Sequence, residues 1–353
     1  MMTTSRLARF TGLALVAGLA LVACGNDDGS PAAQNNATQT PSGTITIYSG
    51  RSEELVAPVL AEFTAATGID VELRAGDSGE MAALLLTEGD ASPADLFFSQ
   101  DAGALGAVED AGLLAGLPQE TLDMVDPAYR STGGKWVATS GRMRVLVYNP
   151  DLVTEADLPA AIDDLLDAKW KGKIGFAPTN ASWQSFVTAL RVLRGDDAAR
   201  EWLEGFAAND PVAYEKNGAV RDAVDSGEVA VGLVNHYYLY EKILAEGAAA
   251  VTAKNHYFRN GDPGSLVNVA GVGILASSDN TAAAQALVDY LLSVDGQTYF
   301  AEKTFEYPVA SGVAQYAELP SLAEISPPSI DLSDLKSIDE TQELLSDVGL
   351  LTK

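Results

Sequence analysis

From Ile45 onward the chain trades segments of two-residue alternation for segments whose apolar residues recur every three or four positions, and it continues so for most of its length. Ile45-Thr46-Ile47-Tyr48 alternates like a strand and Ser49-Gly50-Arg51-Ser52 punctuates it. Leu55, Val56, Val59, Leu60 and Phe63 then recur at helical spacing until Gly68 closes the helix. Ile69, Val71 and Leu73 predict a second strand, 81–86 a short helix and 94–98 a third strand. The series goes on with strands over 142–148, 173–176, 229–234 and 267–275. Helices are expected around 160–168, from Trp183 and over 281–292, and a small acidic helix in the tail after Pro327. This alternation predicts an α/β fold, a sheet with helices on its faces. Pro58 inside the first helix predicts a kink, because its ring removes a backbone donor and crowds the preceding turn.

The first residues follow a different rule. Arg6 and Arg9, the apolar stretch 13–22 and the small residues before Cys24 read as an export signal over 1–23. The apolar part is too short for a membrane span, which needs about 20 residues. Leu21-Val22-Ala23-Cys24-Gly25 resembles a bacterial lipoprotein cleavage box, which implies that Cys24 becomes the first mature residue and carries lipid. Cys24 is the only cysteine, so disulfides, CxxC redox motifs and Cys-rich zinc sites are excluded. Behind Cys24, residues 25–43 are Asn, Asp, Gly, Ser, Pro, Ala, Gln and Thr, a composition that cannot bury enough apolar surface to order itself, so 24–43 reads as a flexible tether. Residues 44–353 suffice for one large or two medium domains. With 49 acidic against 22 basic residues the formal net charge is −27. Nucleic acid and anionic headgroups are therefore poor partners, since neutralising phosphates takes Lys and Arg clusters.

In open α/β sheets ligands gather beyond the carboxyl ends of strands, which directs attention to the loops after Tyr48, Phe98, Phe176 and Val234. After Val234 come Asn235, His236, Tyr237 and Tyr238. Two adjacent phenols suit a hard trivalent metal, although aromatic pairs also cap ordinary strands. Neighbours on a strand point to opposite faces, so both phenols can meet one ion only if the backbone turns after Val234. Tyr240 and Glu241 then begin the next helix on its packing side. A metal bound there must deprotonate phenols whose ordinary pKa is near 10, so affinity should weaken as pH falls. Thr179-Asn180-Ala181-Ser182 precedes a helix and fits either an anion seat at its N-terminus or a plain N-cap. Ser140-Gly141-Arg142-Met143-Arg144 sets two guanidiniums at a strand start, for an oxyanion or for salt bridges.

Enzyme motifs are missing: there is no HExxH, GxSxG or GxxxxGK[ST], and His236 and His256 are too few for a catalytic cluster. Gly271-Val272-Gly273-Ile274-Leu275-Ala276 fits G-x-G-x-x-A but lies inside an expected strand, where glycines allow close packing. His236 is expected on the surface or just behind the ligands. Trp183 and Phe98 are core or rim residues, placed to line a pocket if the ligand is organic.

Over nearly the whole mature length the chain resembles the bacterial ferric-ion-binding proteins of ABC importers. The resemblance is carried by Ile45-Thr46-Ile47-Tyr48-Ser49-Gly50-Arg51, Thr67-Gly68-Ile69, Pro93-Ala94-Asp95-Leu96-Phe97, Ser140-Gly141-Arg142, Trp170-Lys171-Gly172-Lys173-Ile174-Gly175 and Asn235-His236-Tyr237-Tyr238. Gly227-Glu228-Val229, Asp262-Pro263-Gly264 and Glu306-Tyr307-Pro308 add to it. It implies a two-lobed periplasmic-binding-protein type II fold with hinge strands, one lobe from 44–142 with 268–317 and the other from 143–267 with 318–353. It also implies a monomer that closes on ferric iron with a carbonate, phosphate or citrate anion and serves an ABC permease, exported and lipid-anchored at the outer face of the membrane or periplasmic. By resemblance the metal ligands are Tyr237 and Tyr238, and anion contacts fall on Arg142, Asn180, Ala181, Ser182, Asn217 and Asn235. Ser52 stands where some members have a ligating histidine, and Gln100 where they have a glutamate, with Asp101 next to it; Gln100 and Asp101 are the further metal candidates. The alternative is the same fold with another cargo: thiamine, a polyamine, a phosphonate or an oxyanion.

Overall fold

The alternation folds as a mixed sheet flanked by helices. The computed structural model describes residues 42–351; the export signal, Cys24 and nearly all of the tether lie outside the described residues. In chain order the first elements are β1 (Thr44–Ser49), α1 (Glu53–Thr67), β2 (Asp70–Ala75), α2 (Ser78–Glu88), β3 (Leu96–Ser99), α3 (Ala102–Asp110) and α4 (Gln119–Leu122). Then come β4 (Trp136–Tyr148), β5 (Ile174–Phe176), α5 (Ala181–Arg194), α6 (Asp196–Ala208), β6 (Val212–Ala213), α7 (Asn217–Asp225), β7 (Val231–Asn235) and α8 (Tyr237–Glu246). The chain finishes with β8 (Lys254–His256), β9 (Val267–Ile274), α9 (Thr281–Leu292), α10 (Val294–Lys303), α11 (Leu322–Ile325) and α12 (Ile338–Asp347). No helix among the described residues is long and apolar enough to cross a membrane.

The sheet runs β2-β1-β3-β9-β4-β7-β5-β6, with β8 on β4. β1 pairs β2 and β3 in parallel and β5 pairs β6 and β7 in parallel, while β9 and β4 are antiparallel to their neighbours. β4 unites two half-sheets. Its first part, Trp136 to Met143, pairs β9, and its second, Arg144 to Tyr148, pairs β7. The chain passes between the halves there and again where the Leu266 carbonyl accepts from the Arg144 N–H just before β9.

The helices that cover these strands are those the periodicity marks. In α1 the buried residues are Val56, Val59, Leu60 and Phe63, and Gly68 closes the helix with φ 76°, a left-handed conformation that glycine reaches without a Cβ clash. The helix is one continuous element through Pro58, which lies on the exposed side. In β9, a Cβ on Gly271 would sit 2.9 Å from the Val137 carbonyl oxygen, so the glycine-rich string is a close-packed strand. The helix expected at 160–168 is instead two short 3-10 turns, Ile162–Leu166 and Ala168–Trp170. Asp164 and Asp167 accept from nearby backbone N–H groups there, the local competition that keeps Asp out of helix interiors. The tail touches both halves. Its turn Leu332–Lys336 lies on α3, where a Cβ on Gly106 would sit 3.2 Å from Lys336 Cβ. Its last helix lies on α5, where Thr188 and Thr341 hydroxyls are 2.8 Å apart.

Candidate metal and anion site

Strand β7 ends at Asn235 and α8 starts at Tyr237, with His236 already helical at φ −60°, ψ −37°. The turn falls after Asn235, one residue later than expected, and the phenols open a helix. Consecutive helical residues are rotated by about 100°, where strand neighbours are opposed. Both rings thus share one side, with centroids 4.3 Å apart and planes 28° from parallel. Both line a cleft of about 640 Å³, together with Arg51, Ser52 and Gln100 from one wall and Arg221 and Glu241 from the other. Tyr237 is 2% exposed. Burial and then Tyr238 push its phenol well above the usual range, while Arg142 and Arg51 pull it down.

Behind the phenols, β4 supplies Arg142 and Arg144, two residues apart and so on one face of the strand. They lie mid-strand because β4 starts at Trp136, six residues before the expected 142. Arg51 donates from Nη1 and Nη2 to the two oxygens of Glu306 at 2.9 and 2.8 Å, and Arg142 Nε stands 3.7 Å from the same carboxylate. Burial raises the Glu306 carboxyl, but Arg51, Arg142 and the Thr304 hydroxyl outweigh it and leave the group below its ordinary range. One buried carboxylate thus serves two guanidiniums, and Arg142 keeps Nε and Nη1 without a hydrogen-bond partner. Arg144 has no carboxylate partner among the described ion pairs. It donates to Ser182 Oγ at 3.3 Å and to the Leu233 carbonyl at 3.0 Å, with its guanidinium 5.4 Å from Trp183 and 5.3 Å from Phe186. Burial lowers its pKa to about 9 against the pull of Tyr238.

The expected anion loop meets these arginines. Asn180 caps α5: its Oδ1 accepts from the Ser182 N–H at 3.0 Å, the Ser182 hydroxyl at 2.7 Å and Asn217 Nδ2 at 3.0 Å. The capping role is therefore real, and the same cap holds Ser182 against Arg144. Asn217, the first residue of α7, is wholly buried and its Oδ1 has no partner. Asn235 is 5% exposed and faces Arg144 across the β4–β7 pair. Ala181 opens α5 beside them. The donors left without a partner here are Arg142 Nε and Nη1 and Arg144 Nε, and buried guanidinium N–H groups beside a helix N-terminus suit an oxyanion.

Other candidates separate. Gln100 is half-buried on the cleft wall, with its backbone N–H donating to Ser78 Oγ at 2.9 Å. Asp101 is 2% exposed and caps α3 by accepting from the Ala104 N–H at 3.0 Å, and it is not part of the cleft lining. A turn directly after Val234 would have Tyr240 and Glu241 begin the next helix, on its packing side by default. With α8 starting at Tyr237, Glu241 falls instead one turn after the first phenol and faces the cleft. Burial and then Glu306 raise it to about 7. Glu306, which organises Arg51 and Arg142, escapes sequence reasoning because its partner lies 255 residues away. Trp183 and Phe98 are fully buried, Trp183 against Phe176 at 5.1 Å and Phe206 at 5.4 Å, so both are core.

His236 is neither on the surface nor free to ligate. It is fully buried; its Nδ1 accepts from the Met143 N–H at 3.1 Å and its Nε2 lies 2.7 Å from the Phe305 carbonyl, to which it donates. Burial lowers its pKa to about 4 despite these contacts. The unfolded chain takes up this proton near pH 6.5 and the folded one only near 4. The contribution to stability is therefore complete above about 6.5 and is lost as pH falls towards 4, roughly 3 kcal/mol in all. Urea unfolding at several pH values should show His236→Gln flatter than the parent across that window.

Comparisons with known proteins agree with this architecture. The family model described as "Bacterial extracellular solute-binding protein" matches residues 48–298. The Fe(3+)-binding periplasmic protein of Serratia marcescens is 37% identical over 308 residues, 87% of this chain and 90% of that protein. The major ferric iron-binding protein of Neisseria meningitidis serogroup B is 33% identical, over 87% of this chain and 93% of its own. Iron-bound HitA from Pseudomonas aeruginosa superposes with a TM-score of 0.83 at 37% identity, covering 87% of this chain and 99% of that one. The Trichodesmium protein solved in complex with iron and citrate gives 0.76 at 30% identity, covering 87% and 100%.

Proposed function

The chain belongs to the bacterial extracellular solute-binding protein family, and on that premise we propose that it captures ferric iron with a small anion in the cleft beside Tyr237 and Tyr238 and delivers it to an ABC permease. The observation that carries this reading is the pair of stacked phenols at the start of α8, both lining the cleft. Ferric iron is small and highly charged and favours oxygen donors, and phenolate is a protein donor it accepts, as in tyrosine-ligated haem. A trivalent cation supplies the free energy to strip Tyr237 of a proton that burial otherwise holds. The anion accepts from Arg142 and Arg144, whose Nε atoms, with Arg142 Nη1, have no other hydrogen-bond partner, and Asn180, Ala181, Ser182, Asn217 and Asn235 shape the seat. Buried guanidiniums in the cleft wall, at Arg51, and behind the phenols, at Arg142 and Arg144, disfavour a polyamine cargo.

In this reading the two half-sheets belong to lobes, 44–142 with 268–317 and 143–267 with 318–353, that close on the ion about β4 and the entry to β9. The protein works as a monomer outside the cytoplasm, held by lipid on Cys24 at the outer face of the membrane, and performs no chemistry on its cargo.

The test is a titration of the metal-free full chain with ferric citrate. A visible phenolate-to-iron charge-transfer band should appear, and its absence would favour another cargo. Arg142→Ala should reduce iron retention about 10–100-fold, the range for residues that support a metal site from behind. Excess phosphate or carbonate should restore part of the loss, because the deficit lies in holding the anion.

A further inference from the structure

We propose that Glu241 is a carboxylate ligand of the trivalent cation, completing from the α8 side a shell that the opposite wall leaves short of negative charge. The inference rests on the ferric reading above and deepens it. It begins with α8, which opens at Tyr237 and so places Glu241 four residues after one phenol and three after the other. Residues at those spacings are neighbours, about 5–6 Å between Cβ atoms. Helical side chains slant towards the N-terminus, which carries the Glu241 carboxylate back over the turn that holds the rings.

Apart from the exposed Glu54, the other carboxylates near the cleft are committed elsewhere. Asp101 caps α3 and does not line the cleft. Glu306 is held by Arg51 in a two-point pair. Asp222 pairs with Arg221 and Lys242 at 2.9 Å each, and Glu246 with Lys242 at 3.3 Å. Among the described residues lining the cleft, Glu54 and Glu241 are the carboxylates without an ion pair, and Glu54 lies exposed on the opposing wall. A half-buried carboxylate with no cation partner, one helical turn from two potential phenolates, is an incomplete arrangement that a cation resolves. Charge counting agrees. Two phenolates leave one positive charge on ferric iron, and Glu241 cancels it. Glu306 balances one guanidinium of the cluster, so the surplus of Arg142 and Arg144 is left for a doubly charged anion.

The full chain loaded from ferric citrate tests this with Glu241→Gln, which keeps size and removes the charge, and with Glu54→Gln as a control. In both, the charge-transfer band and iron retention against added citrate are measured. Ligation predicts that Glu241→Gln keeps a band, since the phenols remain, but moves its maximum and lowers retention by more than about 100-fold, beyond the 10–100-fold typical of groups that only orient a ligand. Glu54→Gln should change retention by less than about tenfold on the same scale. A Glu241→Gln protein with an unmoved maximum, or with retention inside the orienting range, overturns ligation by Glu241 while leaving the phenolate site standing. No band in the parent chain overturns the ferric reading itself, and this inference with it.

Discussion

Phenylalanine at both 237 and 238 should erase the charge-transfer band and reduce iron retention by at least about 100-fold, since it removes ligands and not merely groups that orient them. The substitution is sharp because it deletes two oxygens and little else. The rings stack at 4.3 Å, and Tyr237 packs edge-on to His236 at 6.0 Å; both contacts belong to the rings and survive. Neither phenol donates a hydrogen bond to protein among those described, so thermal unfolding of the metal-free double variant should match the parent. Each single variant should retain a weaker, shifted band, because one phenolate remains. If the double variant kept both band and retention, the metal would have to sit elsewhere. The same deprotonation fixes the pH dependence. Burial keeps Tyr237 protonated far into the alkaline range in the metal-free protein, so binding releases its proton and retention must fall as pH falls.

Replacing Glu306 with glutamine is expected to cost about 3–5 kcal/mol of stability, the range for removing one partner of a buried ion pair. The pair joins Arg51, just after β1, to Glu306, just after α10, and both side chains are almost completely buried. Losing the carboxylate charge strands two guanidiniums, since Arg142 Nε also approaches it at 3.7 Å. In thermal unfolding the transition should drop by on the order of 10 °C. Replacing Arg51 and Glu306 together by apolar residues of similar size should not restore the parent, because Arg142 would still lack a carboxylate. That outcome separates a three-membered cluster from a simple pair, for which apolar replacement is often neutral or better.

Local periodicity and long-range pairing differ in how far the sequence reveals them. The alternation that marks β1, α1, β2, α2 and β3 comes from side chains choosing a face within a few residues, and each of these elements forms close to its expected bounds. The anion loop is legible for the same reason: Asn180 before an apolar helix is a local capping signal, and it caps. The phenol pair is legible as chemistry but its setting is not. Whether Tyr237 ends a strand or opens a helix depends on the chain turning after Asn235, and the buried His236, tied to Met143 and Phe305 from distant segments, anchors that turn. Sequence reasoning misplaces Glu241 for want of that single boundary. The Arg51–Glu306 contact is beyond any window, since it is made only when the ends of the fold meet around β4. At 160–168 the apolar residues suggest a helix, but the aspartates bond to their own backbone and keep it to short turns.

The most direct test is diffraction from iron-loaded crystals at the iron absorption edge. The account predicts one strong anomalous peak in the cleft, within bonding distance of both Tyr237 Oη and Tyr238 Oη, with density for a small anion between it and Arg142. A peak reached by only one of these oxygens, or lying away from α8, would contradict it.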